Sequence, residues 1–477
     1  MQATELDLNS RLRAAARSVE GYAIEVRRHI HRNPELRWEE DQTLAYLHHQ
    51  INGLCLGKRQ GLLVDVQTHW RGGLVVDVTH RQYRHQQTDT GSANRRRRIL
   101  LRADVDALPI QEIEDDGRET VSQRKGVMHA CGHDAHAAML LAAFSLIVRE
   151  EEGEGSSCPA EWFFQHHDFR FVFQRAEENP GSAPQPKSGG QTLVEEGVCG
   201  AAASDQPPGE VIDSVCGLHV VSTEQSGVFF SQKGACMANS DRLKLVIRSS
   251  GGHAAKPHQG VNALRVAHAI QSSLDSFVAR RLGPNEPCSL EPTILRAGQG
   301  SNIMPSTAEL WYGVRTLLPE KERLQFFDRL EEEVRKVVDT FCTSTSSTER
   351  VAVEIERILG HPMLWNDEKH VREVMQGLKK AGESVEERSP FLMGGEDFAW
   401  YLRKRPGSFW FLGAGPQPRE GKGQKKEEVA KEEEEEEEGE GEERRYPPHH
   451  APMFDIDEGC LWRGVLFWLV VATLPHE

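Results

Sequence analysis

Cys131, His133 and His136, with His129 just ahead and Asp134 between, crowd a thiol, three imidazoles and a carboxylate into the segment Gly126-Val-Met-His-Ala-Cys-Gly-His-Asp-Ala-His136. Thiolate sulfur and neutral imidazole nitrogen are preferred donors for zinc-like ions, and two of them two residues apart can reach one cation or two adjacent ones. The same residues also describe a buried thiol beside surface imidazoles, so the segment alone leaves both readings open. Other places in the chain carry groups that could complete a site. Glu177 and Glu178 follow Phe173-Gln-Arg-Ala just past an apolar run, where a bend can aim one carboxylate at a metal and the other at a water whose proton it accepts. His219 lies inside Gly217-Leu-His-Val220 and His450 precedes the apolar C-terminal run. His253 sits in Gly251-Gly-His-Ala-Ala-Lys-Pro-His258, whose glycines allow close backbone approach. Each also has an ordinary explanation: solvated acids, a hydrogen-bonded buried histidine, a surface histidine, a plain turn.

The elements that must position these groups alternate between strand and helix. Residues 72–78, 99–104, 169–174 and 215–220 are apolar enough for interior strands, and 135–148 continues as an apolar helix. This pattern predicts an α/β domain with helices flanking a mostly parallel sheet, its functional side chains where strands end. The middle of the chain has a different rhythm. Strand patterns at 241–248, 289–296, 308–316 and 351–356, with helical ones at 261–282 and 320–341, give the order βαββαβ. The expected organisation is a first domain part over 1–234, an inserted small domain over 235–358 and a second part of the first domain over 359–477.

Composition narrows the class further. A chain of 477 residues with 38% hydrophobic content can bury a sizeable core and form two or more domains. The net charge of −16 is concentrated: residues 427–443 hold twelve Glu and one Lys, leaving −5 for the rest. Such a run repels itself and buries no apolar surface, so an acidic, disordered insert is expected over about 417–446. Arg95 to Arg98 reads as a solvated loop before a strand, without the aromatic interleaving of a nucleic-acid surface. The N-terminus lacks the basic-then-apolar order of a signal peptide, and 464–474 is too short to cross a bilayer and fits a buried terminal helix. Nine widely scattered cysteines make no disulfide framework. A cytoplasmic protein with neither nucleic-acid nor membrane partner is the expectation.

Taken in order, the segments closely resemble those of one family. They are Arg28-His-Ile-His-Arg-Asn-Pro-Glu-Leu36, Leu101-Arg-Ala-Asp-Val-Asp-Ala-Leu-Pro-Ile-Gln-Glu112, Gly126 to Leu141, Phe173 to Glu178, Gly217 to Val220, Gly251 to Gly260, Gly300-Ser-Asn-Ile-Met-Pro305, Val314-Arg-Thr316, Met393-Gly-Gly-Glu-Asp-Phe398 and His450 to Glu458. The chain resembles the metal-dependent amidohydrolases and metallopeptidases that include hippurate hydrolases, N-acyl-amino-acid amidohydrolases and plant auxin-conjugate hydrolases. The resemblance implies a di-metal peptidase-like domain with an inserted lid, or dimerisation, domain and a homodimer formed through that lid. It also implies two divalent ions, with zinc and manganese both open, held by Cys131, His133, Glu178, His219 and His450. Glu177 would be the general base and Asp106 would orient a ligand. His253 would stabilise the oxyanion, reaching in from a dimer partner in related lid-bearing hydrolases, while Asn302 and Arg315 would hold the substrate carboxylate. His129 and His136 match family positions with structural or outer roles.

The implied reaction is hydrolysis of an N-acyl amino acid, hippurate-like, acetylated or auxin-conjugated, to a carboxylic acid and a free amino acid. A dipeptidase or aminoacylase-like peptidase with the same metals is the neighbouring reading, and a catalytically silent metal-binding scaffold is a reading of a different class. This chain departs from the family pattern in several places. Arg175 stands where proline is usual, and facing inward it would depress the adjacent carboxylate pKa. The glycine-rich run expected after Glu178 is replaced by Asn179 to Gly190. Extra residues occur at 80–94 and 150–167, and the acidic insert lies just upstream of His450.

Overall fold

A computed structural model describes residues 2–84, 97–113, 119–149, 160–165, 167–178, 187–200, 211–283, 286–342, 351–415 and 447–474. The expected acidic insert lies outside these residues, as does most of the added sequence at 80–94 and 150–167 and most of the replaced run at 179–190. The chain divides into two compact units. One comprises Met1–Ser231, Glu368–Pro390 and Arg405–Glu477; the other comprises Gln232–Asp367 and Phe391–Lys404.

The first unit is built on an eight-stranded sheet. Its order is β1 (Leu62–Gln67), β2 (Gly73–His80), β4 (His167–Gln174), β3 (Arg97–Asp104), β5 (Ser214–Gln225), β16 (Gly407–Gly415), β6 (Val228–Ser231) and β15 (Ser384–Glu387). Pairings β3 with β4, β3 with β5, β5 with β16 and β6 with β15 are parallel. Antiparallel pairing is confined to the β1–β2–β4 side and to β16 with β6. The inner strands are buried nearly throughout, which is why they read as continuous apolar runs rather than alternating ones.

Helix His133–Val148 is buried along its whole length, an all-round apolar helix inside the core. Its N-cap is Gly132, with φ of +88°, and a Cβ there would come within 2.3 Å of Val220 Cγ2. Only glycine meets both conditions. Asp134 accepts the Ala135 N–H at 2.9 Å, favourable for an acid at a helix N-terminus. It is itself held by Arg27 at 2.9 Å and His31 at 2.7 Å, both from helix Glu20–Arg32. The terminal helix Leu461–Ala472 is buried except at Arg463, as its apolar sequence requires.

In the second unit an antiparallel sheet runs in the order β10 (Cys288–Ala297), β12 (Thr307–Thr316), β8 (Asn239–Arg248) and β13 (Ala352–Ile358). Helices Ala263–Arg281 and Glu320–Cys342 supply Ile270, Leu274, Phe326, Leu330 and Val334 to a core shared with Leu243, Leu245, Ile247, Leu310 and Val314. The succession of these elements is βαββαβ. Two ribbons complete the unit: β9 (Gly252–His253) with β11 (Ile303–Met304), and β7 (Gly234–Met237) with β14 (Leu364–Asn366). The β7–β14 pairing carries the second unit past residue 358.

Candidate metal centre

In the first unit, chemistry-bearing residues gather beyond the carboxyl ends of β3 and β4, beside β5 and at the start of helix His133–Val148. Asp106 follows β3 and Glu177 and Glu178 follow β4, the position at which parallel sheets present functional groups. Cys131, His133 and Glu178 offer three donor atoms within 4.8 Å of one another; so do Cys131, His219 and His449, and His133, His136 and His219. His450 Nε2 lies 3.1 Å from Glu178 Oε1. The five residues expected to hold metal are thus brought to one place, together with His136 and His449.

Backbone conformation marks the same place. Ala176 and His450 are two of three described non-glycine residues with positive φ, at 51° and 61°. Such strain persists only where surroundings over-determine it. The Ala176 N–H donates to Glu40 Oε1 at 2.8 Å, and the His450 N–H donates to the Ala130 carbonyl at 2.9 Å.

Hydrogen bonds orient the rings. His133 Nδ1 donates to Asp106, 2.9 Å from its carbonyl and 3.0 Å from Oδ1, while Asp106 Oδ2 accepts the Glu178 N–H at 2.9 Å. One carboxylate therefore ties His133 to the Glu177–Glu178 turn. His133 Nε2 is buried without a hydrogen-bond partner, while the buried Glu178 Oε1 faces His450 Nε2 at 3.1 Å. His219 Nδ1 donates to the Val220 carbonyl at 2.6 Å, which directs Nε2 to within 3.5 Å of Cys131 Sγ. Zinc–sulfur and zinc–nitrogen bonds of about 2.3 and 2.0–2.1 Å at a tetrahedral angle place those atoms about 3.5 Å apart. His136 uses both nitrogens elsewhere: Nδ1 meets Asp104 Oδ1 at 2.6 Å and Nε2 accepts the Val220 N–H at 2.8 Å.

The electrostatics favour positive charge at this centre. Burial lowers the pKa of His133, but Asp104, Cys131 and Asp106 outweigh it and hold the imidazole well above its ordinary value. Hydrogen bonding to Cys131 and Glu178 pushes His450 up to about 10. Burial, with His136 and His449 as neighbours, drives His219 well below its usual value and keeps it neutral. A thiol, imidazoles and carboxylates around the unpartnered His133 Nε2 suit a divalent cation, whose binding would displace the protons that His133 and His450 hold.

Arg175 pairs with Asp41 at 2.5 Å and stands 3.9 Å from Glu40 Oε2. Its cation thus meets a separate acidic pair. Burial and the Asp106 charge push the Glu40 carboxyl up to about 8. Glu177 is buried next to this turn. His253, Asn302 and Arg315 belong to the second unit. The first two lie at the β9–β11 ribbon, both exposed, where the Ala254 N–H donates to the Asn302 carbonyl at 3.0 Å. Arg315 is half-buried on β12, opposite Ser240.

Sequence reasoning gave no role to His449 or to Asp104, although the His449-His450 doublet and the Asp104-Val-Asp106 spacing were visible signals. No helix among the described residues is long and apolar enough to cross a membrane.

A donor set of this kind at the strand ends of an α/β sheet defines a candidate divalent-metal centre. Residues 100–437 match the peptidase family M20/M25/M40, and the chain belongs to that family of amide-bond hydrolases. It is 32% identical over 397 residues to an N-acetyl-L-cysteine deacetylase of Bacillus subtilis, covering 83% of this chain and 81% of that one. It is 30% identical over 408 residues to thermostable carboxypeptidase 2 of Saccharolobus solfataricus, covering 86% of this chain and 90% of that one. Among solved structures, a dinuclear metal binding peptidase from the M20 family of Bacillus subtilis shares the fold, with a TM-score of 0.67 at 21% identity over 96% of this chain and 98% of that one.

Proposed function

We propose that the chain hydrolyses the amide of N-acyl amino acids, with Cys131, His133, Glu178, His219 and His450 holding two divalent cations, zinc or manganese. The observation that carries this reading is the Asp106 bridge, which fastens His133 and the Glu178 backbone to one carboxylate and leaves Glu177 beside them. Two cations there would acidify a water and polarise the scissile carbonyl. Glu177 takes the proton of the attacking water and returns it to the leaving amine, a role served by its buried position. Asp106 holds His133 in the tautomer that keeps Nε2 toward the centre. His253 donates to the developing oxyanion, and Arg315 with Asn302 clamps the substrate carboxylate, a task suited to a guanidinium fork. The second unit serves as the lid and as the contact between two copies of the chain.

The substrate class is supported by what the relatives have in common. An N-acetyl-L-cysteine deacetylase and a carboxypeptidase both cut an amide whose nitrogen belongs to an amino acid with a free carboxylate. A peptidase specificity toward dipeptides is the neighbouring reading, favoured by the carboxypeptidase relatives. The test is to strip the protein with chelator, reload it with zinc or manganese, and assay acetylated amino acids, hippurate, auxin conjugates and dipeptides side by side. Metal-dependent release of free amino acid from the N-acyl members is expected. Turnover of dipeptides alone would reject the N-acyl reading, and full activity after complete chelation would reject the metal.

A further inference from the structure

Of the imidazoles around Cys131 Sγ, two stand at nearly equal range, His219 Nε2 at 3.5 Å and His449 Nδ1 at 3.6 Å. Distance alone would make both histidines ligands of one cation. Their far nitrogens separate them. His219 Nδ1 lies 2.6 Å from a carbonyl oxygen, which only accepts, so the ring proton sits on Nδ1 and the Nε2 lone pair faces the sulfur. His449 Nε2 receives the backbone N–H of Ser222 at 3.1 Å. A backbone N–H only donates, so Nε2 contributes its lone pair and the ring proton sits on Nδ1, facing the sulfur.

We propose that His449 is a positioning residue for Cys131: it donates its Nδ1–H to the thiolate and does not itself bind the cation. The inference rests on the metal reading above. The fold holds both partners in this arrangement. Ser222, on β5, also donates its hydroxyl to the Pro447 carbonyl at 2.6 Å, so one residue fixes both the start of the 447–450 segment and the His449 ring. The His450 N–H donates to the carbonyl of Ala130, the residue preceding Cys131, and so ties the two segments side by side. The ring packs against Phe454 at 4.9 Å and His219 at 5.5 Å between centroids. A hydrogen bond of this kind draws density from the thiolate and fixes the direction in which its remaining lone pairs point. In the doublet His449-His450, adjacent histidines then have opposite duties.

Cobalt-loaded full-length protein tests this. The measurements are cobalt content per chain by elemental analysis and the near-ultraviolet thiolate-to-cobalt absorption band. His449→Phe is expected to retain the wild-type number of cobalt ions, to shift the band to longer wavelength because the thiolate loses its donor, and to bind cobalt about 10- to 100-fold more weakly. His449→Asn, whose amide can donate to the sulfur, is expected to hold the band at the wild-type position; this variant also provides the test if the Phe variant fails to fold. Loss of one cobalt ion per chain in either variant would make His449 a ligand and overturn the proposal. A band unmoved in His449→Phe, or moved equally in both variants, would overturn it as well. Wild-type protein that binds cobalt without any thiolate band would instead overturn the metal reading of Cys131, and this inference with it.

Discussion

The two units carry their candidate residues in opposite physical states. In the first, His133 and His219 are buried, and each has its Nδ1 committed to an oxygen at hydrogen-bond distance before any substrate arrives. In the second, His253 is exposed on a two-residue strand and Asn302 is exposed just ahead of its partner strand. A buried group of fixed tautomer has paid its ordering entropy during folding, and a cation that meets it finds donors already aimed. On the ribbon the His253 ring is held by a local hydrogen bond, its Nδ1 accepting the Ala255 N–H at 3.1 Å, in a position open to solvent. The lesson is that burial separates residues that prepare the chemistry from residues that acquire a role on binding, and each kind fails differently when altered.

Substitutions test this contrast, and the largest effect is expected at the base. Glu177→Gln should lower kcat by about 10²- to 10⁴-fold. Elemental analysis should find its metal content unchanged, and a metal-replete variant of normal activity would remove Glu177 from the reaction. His253→Ala is next, with a loss of about 10²- to 10³-fold in kcat if it supplies an oxyanion donor. Because its side chain is exposed, its Tm should stay that of the wild type; a lowered Tm with intact kcat would reverse the comparison. Asp106→Asn should weaken metal binding or activity by about 10- to 100-fold, measured by titration of the chelator-stripped protein, since it disturbs both His133 and the Glu178 turn. An unaltered affinity would mean that the bridge positions nothing.

The smallest expected effect concerns Glu40. Its carboxyl is raised from 4.5 to about 8, so its contribution to stability is fully present below pH 4.5 and is lost as pH rises through 8. Chelator-treated wild-type protein should therefore lose Tm between those values. Glu40→Gln should flatten that slope, and an identical slope in the variant would show that Glu40 titrates normally.

Much of the fold could be read from hydrophobic period. Continuous apolar runs such as 169–174 and 215–220 lie within β4 and β5, whereas the alternation of 241–248 lies within the half-covered β8. The period reports how many faces of a strand are buried, and that is a local property of sequence. Antiparallel pairing of β16 with β6 and the return of Phe391–Lys404 to the second unit gave no such signal, because pairing partners distant in sequence leave no trace in local pattern.

The candidate centre divides along the same line. Sequence alone determined the inventory: a thiol, imidazoles and paired carboxylates, in an order that resembles one hydrolase family. Only the tertiary structure decided what each imidazole can do. His133, His136, His219 and His449 are chemically identical side chains, and what distinguishes them is whether a carbonyl, a carboxylate or a backbone N–H faces the far nitrogen. For His449 that partner is 227 residues away in the chain. A tautomer is set by the hydrogen bond across the ring, and that partner exists only once the chain has folded.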